Sequence, residues 1–149
     1  LYCPDQGLQD GSELKEIEMR DANLIGTADT GISSDSFATD ALEVDNTGEK
    51  GVWVQFVVTR NDADADETLQ IRVFAKDSDA SWDILTDDLV GGAGILEDGD
   101  IANGETVVRY ALVQTKHTYI KAHYDVEGTS PDYDVTYSIV SGPSRDHVA

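Results

Sequence analysis

Apolar and polar residues alternate through the last third of the chain in three consecutive runs, residues 106–114, 118–126 and 133–139. In the second, Ile120, Ala122, Tyr124 and Val126 fall on one side and Tyr119, Lys121, His123 and Asp125 on the other. That two-residue period is the mark of a strand with one buried face. The third run repeats it with Tyr133, Val135, Tyr137 and Ile139 against Asp134, Thr136 and Ser138. Glu127, Gly128, Thr129, Ser130, Pro131 and Asp132 between the two supply hairpin-loop chemistry.

Upstream, residues 52–59 are apolar on both faces, as expected of a strand in the middle of a sheet, with Trp53 in the core. Residues 68–76 alternate through Leu69, Ile71, Val73 and Ala75. The turn at 76–80 predicts a hairpin with a strand over 81–86 and Trp82 near the turn. Residues 87–104 hold five glycines and little periodicity and read as a connector, and 37–44 as one short strand. Seven to nine short strands without a helical window predict an all-β, antiparallel jelly-roll-like β-sandwich. The expected organisation is an extended N-terminal arm over 1–36, a β-sandwich domain over 37–142 and a polar C-terminal tail over 143–149.

Composition narrows the functions. The 149 residues fit one domain whose core needs no metal or disulfide staple. The single cysteine, Cys3, reads as an unpaired thiol. No apolar run is long enough for a membrane helix and no signal-peptide pattern opens the chain, so a soluble protein is expected. Thirty acidic against ten basic residues give a net charge of −20, spread along the chain. Nucleic acid and anionic membranes need clustered Lys and Arg, and here the basic residues are scattered singly among acids. Such a charge favours solubility and steers the molecule toward basic protein surfaces or divalent cations.

Candidate chemistry is sparse. Asp62, Asp64 and Asp66 resemble the opening of a calcium loop, but Glu67 stands where that loop needs Gly and Val73 where it needs Glu. A solvated acidic loop is the expectation, with low-affinity cation binding as the test case. His117 and His123 lie about 20 Å apart along an extended run, too far to share a metal, and read as exposed strand residues. The segment Gly91, Gly92, Ala93, Gly94 lacks the Lys and the following helix of a phosphate loop. No acid, base, nucleophile or metal set stands out, so neither an enzyme nor a cofactor is expected. Trp82, beside a polar turn, is the better-placed tryptophan for an external contact.

The order and texture of these segments resemble the Bbp16-like capsid cement, or decoration, proteins of phages. The resemblance covers roughly residues 37–142: the central strands, Ser81-Trp82-Asp83-Ile84-Leu85, the Gly-rich connector, Arg109-Tyr110-Ala111-Leu112, and above all Tyr119-Ile120-Lys121-Ala122-His123-Tyr124-Asp125-Val126-Glu127-Gly128-Thr129 with the closing strand. The chain departs from the family in its first forty residues and in its acidity. The resemblance implies a virion protein made in the host cytoplasm that sits on the outer surface of an icosahedral head. There it would bridge major capsid protein subunits, self-associating as a symmetric dimer or trimer. Contacts are expected first in the N-terminal segment, at Leu14, Ile17, Met19, Leu24 and Ile25, then in the 87–104 connector, and at Trp82. The alternative from another class is a secreted or surface-displayed β-sandwich module that binds carbohydrate through Trp82 or a divalent cation through residues 62–67.

Overall fold

The computed structural model describes residues 25–44, 49–62, 64 and 66–141. Nine strands are present among them: β1 (Asp29–Ile32), β2 (Ser36–Phe37), β3 (Leu42–Glu43), β4 (Val52–Asp62), β5 (Thr68–Lys76), β6 (Asp88–Leu96), β7 (Thr106–Val113), β8 (Tyr119–Glu127) and β9 (Asp132–Val140). They form two antiparallel sheets, ordered β1-β9-β4-β7 and β2-β8-β5-β6, with β3 also pairing β8. Taking β2 and β3 as one interrupted strand, this is the eight-strand jelly roll of two Greek keys. The expected all-β jelly-roll sandwich is the fold of the described chain.

The alternation read from the sequence is what places the core. Val54, Phe56 and Val58 of β4, Leu69, Ile71 and Val73 of β5, Ile120, Ala122 and Tyr124 of β8 and Tyr133, Val135 and Tyr137 of β9 meet between the sheets. The buried phenols keep a polar handle. Tyr124 donates to Asp29 Oδ2 at 3.1 Å and Tyr137 to the carbonyl of Asp40, which ties the segment from Asp29 to Asp40 to the sandwich interior. Burial drives both phenol pKa values well above the ordinary tyrosine range.

Several expectations are corrected. Residues 81–86 form no strand. Asp83 turns the chain by accepting from the Thr86 and Asp87 amides through its carbonyl and from the Leu85 amide through its carboxylate. The strand that forms the hairpin with β5 is β6, inside the expected connector, with register shifts on either side of the Arg72/Gly92 to Val73/Gly91 pairs. A Cβ on Gly92 would lie 2.5 Å from the Ile71 carbonyl oxygen, so the close approach of the two backbones requires glycine. The 37–44 strand is two short pieces, and β1 places residues 29–32 inside the sandwich although the sequence assigns them to the arm. Trp53 is half-buried on the outer side of β4 and is not part of the core. His123, expected to be exposed, is buried. Leu14, Ile17, Met19, Leu24, Cys3 and the 143–149 tail lie outside the described residues.

Candidate functional site

The 62–67 loop does not gather its carboxylates. Arg60, fully buried at the end of β4, donates to the carbonyls of Asp62 at 3.2 Å, Asp64 at 2.6 Å and Ile101 at 2.8 Å. It also pairs with Glu67 at 3.3 Å and Asp98 at 3.2 Å. The guanidinium thus fills the position that a loop-bound cation would take. Asp66 turns away to accept from the Thr129 hydroxyl and amide, which hold its carboxyl below the usual range. Among the described residues no group of three His, Cys, Asp or Glu side chains is arranged to hold a metal.

Trp82 is already occupied. The turn that carries it folds over the outer face of the β8-β5 pair, where its ring lies against Phe37, with Lys76 and Lys121 over its faces at 5.3 and 5.8 Å. Its indole N–H donates to Asp79. Beneath it Phe37, Phe74 and His123 pack edge to face. This small second core explains the burial of His123, whose pKa is lowered by desolvation and then by Arg72. His117 stands at the other end of that turn, its ring between Asp77 at 3.2 Å and Asp88 at 3.0 Å, and its hydrogen bond to the Asp88 carboxylate leads in raising its pKa.

The 87–104 segment, expected as the second place for contacts, contains β6, and what sequence reasoning did not show is the edge where β6 and β7 come together. Each ends its sheet, and Gly91 packs on Val113 closely enough that a Cβ there would meet its Cγ2 at 3.1 Å. Of the six large apolar side chains exposed among the described residues, Ile84, Leu85, Leu89, Ile95 and Leu112 lie on these two strands or in the turn that feeds β6. Leu89 and Ile95 are paired with the outward residues Phe74 and Gln70 of β5, so they stand on one flank of the edge, with Gly92 as a saddle between them. Leu112 stands on the other flank. A cleft of about 740 Å³ at the foot of this edge is lined by Glu49, Asp88, Val90, Gln114, Lys116 and His117. The sequence signal was present in Leu89 and Ile95, but the intervening glycines erase the period that would mark a strand.

The sixth exposed apolar residue, Ile25, bridges Ser138 and belongs to the outer face of the β1-β9-β4-β7 sheet. The expected contacts Ile25 and Trp82 therefore sit on opposite sheets of the sandwich.

No protein-family description matches the chain, and no curated protein does. Among solved structures it is similar to the CBM22-1–GH10 modules of the N-terminal endo-1,4-beta-D-xylanase 10B of Clostridium thermocellum, complexed with xylohexaose. The TM-score is 0.39 and the identity 14%, over 81% of this chain and 29% of that one. A likeness at that level carries no argument about binding or activity.

Proposed function

We propose that this chain is a virion structural protein, a capsid cement protein that binds the outer surface of an icosahedral phage head and stabilises it by bridging major capsid protein subunits. The observation that carries the reading is the gathering of exposed apolar side chains at the β6–β7 edge. A molecule of net charge −20 keeps most of its surface hydrated and repels its own copies, yet here it presents Leu85 at 87% exposure in the turn before β6, and exposed Leu89 and Ile95 at the two ends of that strand. Apolar side chains grouped along edge strands mark an interaction site. The exposed carboxylates of Asp88 and Glu97 bracket β6, so a second copy would bring like charges together, whereas a partner with a basic rim gains from the same charges. Copies that form dimers or trimers on the head would then meet through other surfaces.

The sequence resemblance to the cement family points the same way, and so does the architecture: a rigid sandwich with small docking edges suits attachment in many copies, where weak contacts add. Co-sedimentation of the full chain with empty heads of its phage tests the reading. Saturable binding that the double variant L89D/I95D loses is expected. Failure to sediment, or undiminished binding by that variant, would overturn it.

A further inference from the structure

The outer face of the β1-β9-β4-β7 sheet carries a second feature, which shares Leu112 with the docking edge but none of its β6 residues. The register aligns Val140, Trp53 and Leu112 in one row, Ser138, Gln55 and Tyr110 in the next, then Thr136, Val57 and Val108, then Asp134, Thr59 and Thr106. Side-chain hydrogen bonds confirm that these point the same way, Gln55 Nε2 donating to the Tyr110 hydroxyl at 3.1 Å and Thr59 meeting Thr106 at 2.7 Å. Of the twelve positions only Asp134 is charged, in a chain where charged residues make up 27%. The face is thus kept neutral on an otherwise acidic molecule.

Its composition is that of a surface for hydroxyl-rich ligands. The half-buried indole of Trp53 makes no side-chain hydrogen bond and no ring contact among the described residues, in contrast to the fully engaged Trp82. A planar indole presents an apolar face flanked by the amide of Gln55 and the hydroxyls of Tyr110, Ser138 and Thr136. Pyranose rings need that combination, because they stack their C–H face on an aromatic plane and direct their hydroxyls outward to amides and alcohols. Strand spacing and rise make the grid about 10 by 20 Å, room for an oligosaccharide of a few units. The net charge of −20 disfavours a uronic acid or sulfated chain.

We propose that the Trp53–Gln55–Tyr110 face is a binding site for neutral polysaccharide. It does not rest on the capsid reading, since a protein could bear this site whatever its β6–β7 edge docks against. The test is affinity electrophoresis of the full chain in native gels containing a β-glucan, a mannan, a xylan or a galactan, with alginate as the anionic counterpart. Retardation by at least one neutral polymer is expected. W53A should weaken it at least about tenfold, the loss of roughly 1.4 kcal/mol of binding free energy. Q55A should weaken it as well, while W82F leaves it unchanged, and circular dichroism should show all three folded. Binding by L89D/I95D should persist, which separates this site from the docking edge. No retardation by any neutral polymer, retardation by alginate alone, or retardation indifferent to W53A would overturn the proposal.

Discussion

Arg60 and Glu67 meet at 3.3 Å with neither side chain exposed to solvent, joining the end of β4 to the start of β5. Removing one partner of a buried pair leaves the other charge without compensation, at a cost of about 3–5 kcal/mol. R60A should show that loss in urea unfolding, as a lower midpoint at unchanged slope. It also strips the Asp62, Asp64 and Ile101 carbonyls of their donor. E67Q keeps an oxygen for the guanidinium and should cost less. Equal stability of R60A and the parent would contradict this role.

Because the guanidinium already satisfies the carbonyls of Asp62 and Asp64, a hard cation gains little there. Millimolar calcium is expected to leave the melting temperature where it is, since only a ligand that prefers the folded state raises it. A rise of several degrees, lost in D62N/D64N, would restore the acidic loop as a site.

The two described histidines should act on stability with opposite signs. His117 has its pKa raised, so its contribution is fully present below the ordinary value of 6.5 and fades as pH rises from there through the folded value. His123 has its pKa lowered, so its contribution is fully present above 6.5 and fades as pH falls through the folded value. Unfolding midpoints across pH 4 to 9 check this. H117N should flatten the alkaline side and H123F the acid side. The His117 effect is the smaller expectation, because a third of that side chain is exposed and solvent screens its partners.

Gly92 should resist substitution. G92A drives a methyl into the Ile71 carbonyl, and such overpacking costs about 1–3 kcal/mol. G99A is the control, since a Cβ there meets nothing within 4 Å, and it should be neutral or slightly stabilising. Comparable losses in the two would contradict the close approach of β5 and β6.

Much of the sandwich was legible in the sequence because five strands alternate or run apolar against a core: β4, β5, β7, β8 and β9. What was hidden has physical causes. Glycines in β6 carry no hydropathy signal, and its strand character comes from pairing with β5. The segment from Ser81 looked strand-like through Trp82, Ile84 and Leu85, but Asp83 supplies a local turn that outcompetes extension. His123 read as exposed because its strand alternates correctly, and it is buried by Phe37 of β2 and Phe74 of β5, with Trp82 of the 77–87 turn closing over Phe37. Trp53 read as core because a sequence window cannot tell which apolar side of a central strand meets the other sheet. The docking edge depends on β6 and β7 lying side by side at the borders of two sheets, with Gly91 against Val113, which no local pattern encodes.

Hydrogen exchange of the full chain, free and on saturated empty heads, tests the central claim most directly. Amides of Asp88–Leu96 should gain protection on the head while those at Trp53 to Thr59 do not. Protection spread elsewhere with β6 unchanged would contradict docking through the β6–β7 edge.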